Sequence, residues 1–162
     1  MISSLVVPVL NELRGLKAVM PRLPPMDQIL IVDGGSTDGS PEWCLDQGYE
    51  IHCQRRPGLR AALGEAWNKV RGDVMVPFST DGNSDPARVA PLLAYMADHP
   101  EVDMTIVSRY LGTARSDDDT PLTRLANRFF TGAINRLFGG RYTDALVIFR
   151  AYRRELPERL GL

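Results

Sequence analysis

The chain has 162 residues, a net charge of −1 and a hydrophobic fraction of 44%, values that suit one soluble domain with a core of its own. The near-neutral charge excludes the basic field of a typical nucleic-acid-binding protein, so no nucleic-acid partner is expected. The two cysteines lack metal-pair spacing and favour a reduced, cytoplasmic chain. No apolar run reaches the ~18 residues of a membrane span, and the N-terminus has no signal-peptide pattern.

Apolar segments alternate with helical patterns along the chain. Strands are predicted at residues 4–10, 28–33, 49–53, 73–79 and 102–108. Helices are predicted at residues 11–20, from residue 40 onward, at 58–72 and 86–97, and from residue 121 to a glycine pair at 139–140. The segment from Tyr142 onward has no clear pattern. The alternation predicts one α/β domain over residues 1–162, with a mostly parallel central sheet and helices on both faces.

Polar clusters follow the predicted strands at their carboxyl ends, which is where sheets of this class bind ligands. The clusters are Asn11-Glu12, residues 33–38, residues 79–85 and Ser108-Arg109. Four ordinary turns would also be polar, so the pattern alone leaves that alternative open.

Asp33 ends the second predicted strand and is followed by the sequence GGSTDG. The two glycines allow a close backbone approach, and a carboxylate here could accept hydrogen bonds from a ribose or a base. The alternative is a strand-to-helix turn with Asp38 or Ser40 as a helix cap. Neither the G-x-G-x-x-G fingerprint nor a P-loop is present.

The sequence STDGNSD at residues 79–85 follows the fourth predicted strand. Asp81 offers a hard oxygen ligand, and Asn83 can supply an amide oxygen on the same side of an extended loop. Mg²⁺ and Mn²⁺ take one or two protein oxygens when waters and substrate phosphates complete the shell. An ordinary Asp-Gly turn is the alternative.

Asp144 stands at the edge of an apolar segment, where desolvation could raise its pKa and make it a general base. The alternative is a cap or a buried ion pair with an arginine such as Arg150. Four further arginines are candidates for contacts with a diphosphate or a lipid phosphate, although for each one alone a solvated surface position is the simpler interpretation. They are Arg60, Arg109, Arg124 and Arg128.

Together these motifs resemble the family 2 glycosyltransferases, which have the nucleotide-sugar-binding GT-A fold. VVPVLNE resembles the family's first strand and its Pro-x-x-Asn-Glu loop, and IVDGGSTDGS resembles its Asp-Asp/Gly-Gly-Ser-Thr-Asp-Gly signature. VSRY and YTDALVIFRAYRRE resemble the subgroup of dolichol-phosphate mannose synthases and bacterial polyprenyl-phosphate sugar transferases. The resemblance covers almost all of the chain.

The resemblance implies transfer of a sugar, with inversion, from a nucleoside diphosphate sugar to an acceptor such as a polyprenyl phosphate or a glycan. It implies a Mg²⁺ or Mn²⁺ ion at Asp81 and Asn83, with Asp81 and Asp144 as the catalytic residues. Asp144 would be the base for a hydroxyl acceptor, whereas for an ionised phosphate acceptor it would position the acceptor or complete the metal shell. Arg124 and Arg128 become candidates for the acceptor phosphate. The residues to which it assigns nucleotide-sugar binding are Pro8, Asn11, Glu12, Asp33, Arg60, Thr80 and Arg109.

Two departures from the family pattern affect these expectations. Ser79 stands where the family usually has the first aspartate of its Asp-x-Asp motif, which predicts weaker or donor-dependent metal binding. Relatives in the subgroup continue past the FRAYRRE block, so we expect either a natural short form or a truncated chain. The rival functions are a non-catalytic nucleotide-binding domain and a sugar nucleotidyltransferase. PVLNELRG lacks the glycine density that a nucleotidyltransferase needs.

The last predicted helix carries a broad apolar face. Core packing is the preferred use of this face, and a homo-oligomer contact or a membrane-facing surface is the alternative. The expected location is the cytoplasm, with peripheral contact at the inner face of the membrane. The residues of the face are Leu125, Phe129, Phe130, Ile134, Leu137 and Phe138.

Overall fold

The structure is a computed structural model and describes residues 1–110 and 120–161. Six strands form one sheet in the order β3-β2-β1-β4-β6-β5. They are β1 (Ser3–Val9), β2 (Gln28–Asp33), β3 (Glu50–Cys53), β4 (Val74–Pro77), β5 (Met104–Ile106) and β6 (Arg150–Arg153). β1 to β4 pair in parallel, whereas β6 lies antiparallel between β4 and β5. The predicted mostly parallel sheet is confirmed.

The helices follow the predicted order, with shorter bounds. They are α1 (Leu13–Val19), α2 (Ser40–Asp46), α3 (Leu59–Trp67), α4 (Val89–Asp98), α5 (Pro121–Phe138) and α6 (Leu156–Arg159). Short 3₁₀ turns extend α1 and precede α4. α1 begins later than predicted because Asn11 has a φ of 57°, a left-handed conformation that a helix cannot include.

Two apolar clusters cover the two faces of the sheet. The larger cluster joins Leu5 and Val7 of β1 to Leu16 of α1, Cys44 of α2 and Met96 of α4. The smaller cluster lies on the opposite face of the sheet. It joins Val6 of β1 to Ala62 and Ala66 of α3. Successive residues of a strand point to opposite faces, so β1 contributes to both clusters. The prediction of helices on both faces is confirmed.

β6 was not predicted, because two of its four residues are arginines. Arg153 nevertheless belongs in the sheet. Its guanidinium donates to the carbonyl oxygens of Val102 at 3.0 Å, Met96 at 2.8 Å and His99 at 3.0 Å. These bonds satisfy the charged group at the end of α4 and so tie that end to the strand.

α5 turns its polar side inward and its apolar side outward. Asn127 and Thr131, one helical turn apart, are buried. Phe129 is 71% exposed and Phe138 is 80% exposed. We preferred the expectation that this apolar face packs in the core. Among residues 1–110 and 120–161 that expectation is wrong, because the face is exposed. No helix in those ranges is long and apolar enough to span a bilayer.

Candidate functional site

The loops after β1 and β2 are joined to each other by hydrogen bonds. The N–H of Asn11 donates to Ser36 Oγ at 2.9 Å, and its side-chain Oδ1 accepts from the N–H of Thr37 at 2.8 Å. Asp38 Oδ2 accepts from the N–H of Leu13 at 2.9 Å, at the start of α1. The structural interpretation of Asp38 is confirmed. Asn11 shapes the loop, and its contact with a nucleotide stays a prediction.

The Asp33 carboxylate is buried and accepts hydrogen bonds from its own loop. Its Oδ2 accepts from the N–H of Gly35 at 2.9 Å and from the N–H of Ser36 at 3.1 Å. Gly35 has a φ of 97°, which glycine adopts without the strain of a Cβ. Asp33 therefore fixes the form of the GGSTDG loop, and a hydrogen bond from a ribose or a base would be additional to these.

A pocket of about 260 Å³ opens at the carboxyl ends of β1, β2 and β3. Arg60 is exposed on the first turn of α3 and is not among the lining residues, although its neighbour Leu59 is. The lining combines backbone at two glycines with apolar side chains, one carboxylate and one amide, a combination that suits a base and a ribose. The lining includes Pro8, Val9, Leu10, Glu12, Gly34, Gln54, Pro57, Gly58, Leu59 and Ala62.

Glu65 fixes the segment between Gln54 and Pro57, two residues that line this pocket, and it was not predicted from the sequence. Its carboxylate lies 2.7 Å from His52 Nε2 and accepts from the N–H of Arg55 at 3.0 Å and of Arg56 at 3.2 Å. The backbone hydrogen bond from Arg55, followed by the bond with His52, lowers the pKa of Glu65. These partners are 9 to 13 residues away in the chain, so no local motif marks them.

The loop after β4 places a carboxylate beside the pocket. Thr80 is buried, and its Oγ1 has no hydrogen-bond partner among the described residues. Asp81 is exposed, and its Oδ1 accepts from the N–H of Asn83 at 2.9 Å. Burial raises the pKa of Glu12, and the charges of Asp81 and Asp38 raise it further. Glu12 and Asp81 are thus close enough to repel each other.

A divalent cation fits this loop when a ligand supplies the remaining oxygens. Over residues 1–110 and 120–161, no group of three or more His, Cys, Asp or Glu side chains could hold a metal ion by itself. The exposed Asp81 carboxylate beside Glu12 provides the hard oxygens and negative potential that Mg²⁺ and Mn²⁺ favour, with phosphates as further ligands. Coordination by the Asn83 amide stays a prediction.

Asp144 is the centre of a buried network on the opposite side of β4. It is 1% exposed, and Arg109 binds it through two nitrogens, Nε to Oδ2 at 2.8 Å and Nη2 to Oδ1 at 3.1 Å. The N–H of Arg109 also donates to Oδ2 at 3.2 Å, and Asn127 Nδ2 donates to Oδ1 at 2.8 Å. Bidentate pairing of this kind fixes both position and orientation.

The expected rise in the pKa of Asp144 is wrong. Burial does raise it, but the hydrogen bonds and charge of Arg109, together with the bond from Asn127, more than offset the burial, and the pKa is lowered. The alternative, a buried ion pair of Asp144 with an arginine, is observed, and the arginine is Arg109 rather than Arg150. Arg150 instead donates to the carbonyl oxygens of Val147 and Ala145. An ionised carboxylate with this many donors is a poor general base.

A larger cavity, of about 470 Å³, lies along α5. It shares Tyr142 and Thr143 with an adjoining cavity of about 220 Å³ that Asp144 lines. Arg124 and Arg128, one turn apart on α5, bring two positive charges to the same wall. The residues that line the larger cavity are Tyr110, Arg124, Arg128, Thr131, Gly132, Asn135, Tyr142 and Thr143.

Known proteins resemble this chain in sequence and in fold. The family model described as Glycosyl transferase family 2 matches residues 4–161. Polyprenol monophosphomannose synthase of Mycolicibacterium smegmatis is 33% identical over an alignment that covers 97% of this chain and 63% of that protein. Undecaprenyl-phosphate 4-deoxy-4-formamido-L-arabinose transferase of Yersinia pestis is 28% identical, with 97% and 50% covered. The chain thus spans between half and two thirds of these relatives, and the predicted resemblance to their subgroup is confirmed.

Solved structures support the same fold. Glucosyl-3-phosphoglycerate synthase from Mycobacterium tuberculosis, in complex with Mn²⁺, uridine diphosphate and phosphoglyceric acid, superposes with a TM-score of 0.77 at 23% identity. The match covers 96% of this chain and 56% of that one. The predicted GT-A type of α/β fold is therefore confirmed.

Proposed function

This chain belongs to glycosyl transferase family 2, and on that premise we propose that it transfers a sugar, with inversion, from a nucleoside diphosphate sugar to a polyprenyl phosphate. The observation that carries the proposal is the cavity along α5. Two arginines on one wall suit a phosphate, and the adjoining cavity reaches Asp144 and so the Arg109 pair.

The donor would lie at the carboxyl ends of the strands. The pocket lined by Pro8, Glu12 and Gly34 would hold the base and the ribose. Asp33 and Asn11 keep the two loops around it in one shape through their hydrogen bonds. Because the loop geometry is set before binding, less of the interaction energy is lost in ordering the site.

The diphosphate of the donor would extend from this pocket toward Asp81. The residues proposed to hold Mg²⁺ or Mn²⁺ are Asp81 and Asn83. Oxygens of the donor diphosphate would complete the coordination. When bound, such an ion supplies positive charge that stabilises the leaving diphosphate. Arg109 is the proposed protein cation for the same charge, held in place by the Asp144 carboxylate.

The lowered pKa of Asp144 favours a phosphate acceptor over a glycan hydroxyl. A hydroxyl acceptor needs a general base, whereas a phosphate monoester is already ionised at neutral pH and needs only orientation. Arg124 and Arg128 would bind the acceptor phosphate, and Asp144 would hold Arg109 rather than accept a proton. This assignment replaces the expected role of Asp144 as a base.

The outer face of α5 supports a lipid acceptor. Residues 121–138 contain three arginines and no acidic residue. An amphipathic basic helix with exposed aromatic side chains binds anionic bilayer surfaces. We therefore propose peripheral membrane contact through this face, which would bring a polyprenyl phosphate to the cavity beside it. Its exposed apolar residues are Leu122, Leu125, Phe129, Phe130, Leu137 and Phe138.

A thermal-shift panel of UDP, GDP, dTDP and CDP, each with and without Mn²⁺, tests the donor half of this proposal. A ligand that binds only the folded chain adds about 2.7 kcal/mol of stability at a hundredfold excess over Kd. We expect a metal-dependent shift with one nucleotide. It should vanish in Asp81→Asn and persist in Asp98→Asn, a carboxylate at the far end of α4. No shift with any nucleotide would overturn the proposed donor site.

A further inference from the structure

Asn127 has a buried position that the proposed transfer reaction does not by itself explain. It is 3% exposed, in the middle of a helix whose apolar side faces outward. A buried amide without partners would destabilise the fold, so its hydrogen bonds define what it does. Its Nδ2 donates to Asp144 Oδ1 at 2.8 Å, and its Oδ1 accepts from Thr131 Oγ1 at 2.9 Å.

Thr131 orients the amide of Asn127. Because Thr131 Oγ1 donates to Asn127 Oδ1, the amide nitrogen is the atom that faces Asp144. The same Oγ1 accepts from the N–H of Ala145 at 3.1 Å, next to Asp144 in the chain. Asn127, Thr131, Ala145 and Asp144 therefore form a closed ring of contacts between α5 and the segment that follows it.

The ring links two parts of the site. On one side, α5 carries Arg124 and Arg128, and Thr131 itself lines the larger cavity. On the other side, the Asp144 carboxylate binds the guanidinium and the backbone N–H of Arg109. A displacement of α5 would change the Asn127 contact first and the Arg109 pair next.

We propose that Asn127 is a positioning residue for the transfer reaction, which fixes the Asp144 carboxylate against Arg109 and so couples the phosphate cavity on α5 to the arginine after β5. The inference rests on the proposed function. Asn127 touches neither substrate in this scheme, and it acts only through Asp144. The effect of removing its amide should therefore depend on whether the Asp144 carboxylate is present.

A double-mutant cycle between Asn127→Ala and Asp144→Asn tests this dependence. The readouts are the Kd of the Mn²⁺–nucleoside diphosphate complex, by calorimetry, and kcat and KM for sugar transfer. Asn127→Ala alone should lower kcat about tenfold to a hundredfold, since small misplacements of a site group have effects of this size. The Kd of the nucleotide complex and the donor KM should both rise severalfold, a smaller effect than that on kcat, because Arg109 is the proposed contact for the diphosphate. In the Asp144→Asn background, Asn127→Ala should have no further effect on Kd or kcat.

Thr120→Ala is the matched structural control. Thr120 caps the same helix by accepting from the N–H of Thr123, and among the described residues it has no hydrogen bond to Asp144, Arg109 or Asn127. It should lower the melting temperature without the drop in kcat. If Asn127→Ala does not fold, Thr131→Val, which removes the hydroxyl that orients the amide and accepts from the N–H of Ala145, should give a smaller rise in the Kd of the Mn²⁺–nucleoside diphosphate complex, a readout that involves no acceptor.

Equal effects of Asn127→Ala with and without the Asp144 carboxylate would overturn the inference, as would a kcat loss in Thr120→Ala matching that in Asn127→Ala. These outcomes differ from failure of the proposed function. If the wild type binds the nucleotide but transfers no sugar, the proposed function fails, and the Kd cycle still decides the role of Asn127.

Discussion

Gly15 of α1 lies directly against the main chain of Thr80, and a Cβ at position 15 would overlap the Thr80 carbonyl oxygen. α1 thus packs directly against the loop that contains Asp81. Thr80 is buried in this contact. The position of the proposed cation ligand is set by the close packing of α1, a contact between segments about 65 residues apart.

Gly15→Ala should therefore disturb both stability and the metal loop. Overpacking of a close backbone contact costs about 1 to 3 kcal/mol, and displacement of Thr80 should weaken Mn²⁺-dependent nucleotide binding. Urea unfolding and calorimetry measure the two effects. The control is Gly64→Ala in α3, where an added Cβ meets nothing within 4 Å. That variant should be neutral or more stable by up to about 1 kcal/mol. Unchanged nucleotide affinity in Gly15→Ala would show that the packing of α1 does not control the position of the metal loop.

Glu12→Gln should stabilise the chain at neutral pH. Burial, Asp81 and Asp38 raise the pKa of Glu12 above its ordinary value of 4.5, so the folded state binds this proton more tightly than the unfolded state. Ionised Glu12 therefore destabilises the fold, and this penalty grows as pH rises through the folded-state pKa. The variant should be more stable than wild type at pH 7, and the difference should shrink toward pH 4.

Urea unfolding at both pH values measures this effect, with the exposed Glu101→Gln as the charge-matched control. Equal stability of Glu12→Gln and wild type at pH 7 would show that the repulsion between Glu12 and Asp81 is unimportant.

Loss of Asp144 or of Arg109 should be costly alone and less costly together. Asp144→Ala leaves a guanidinium without its buried carboxylate, a change that typically costs about 3 to 5 kcal/mol. The double variant with Arg109→Met should lose less than the sum of the two single losses. The control pair Arg159 and Asp103 is much more exposed than the Asp144–Arg109 pair and should contribute about 1 kcal/mol or less.

The pair of Asp144 and Arg109 also makes the stability of the fold depend on pH. The pKa of Asp144 is lowered from its ordinary value of 3.8, so its stabilising contribution is complete above that value and is lost as pH falls through the folded-state pKa. Acid unfolding of Asp144→Asn should therefore be less steep below pH 3.8 than that of wild type. Parallel acid-unfolding curves would argue against an ionised, paired Asp144.

The outer face of α5 should bind anionic vesicles. Leu137→Ser combined with Phe138→Ser should reduce co-sedimentation with vesicles rich in phosphatidylglycerol, with little change in melting temperature because both side chains are exposed. Leu45→Ser, at an exposed apolar position on α2, should leave vesicle binding unchanged. If the α5 variant instead converts a dimer to a monomer and binds vesicles normally, the face is a contact between copies of the chain.

Local patterns predicted the first four strands and the clusters at their ends, because a buried parallel strand is a short apolar run and a ligand loop is a short motif. β2 was predicted with its observed bounds, Gln28–Asp33. β6 was missed because Arg150 and Arg153 break the apolar pattern. Their charges are satisfied by carbonyl oxygens, up to 57 residues away in the case of Arg153, and only the folded chain reveals such partners.

The direction in which α5 faces was also beyond local reasoning. Helical periodicity identifies an apolar face, but it does not say whether the core or the solvent lies on that side. The spacing of Asn127, Thr131 and Asn135, each four residues apart, was the available signal for a polar inner face. The pKa of Asp144 depended on Arg109, 35 residues away, and burial alone predicted the wrong sign.

The most direct test of sugar transfer is a product assay with the purified chain, Mn²⁺, radiolabelled nucleoside diphosphate sugars, and either a short-chain polyprenyl phosphate or the matching prenyl alcohol. The proposed function predicts labelled lipid from the phosphate and not from the alcohol, with at least about a hundredfold loss in Asp81→Asn and none in Asp98→Asn. Nucleotide binding without transfer to the phosphate would contradict the proposed reaction and favour a non-catalytic nucleotide-binding domain.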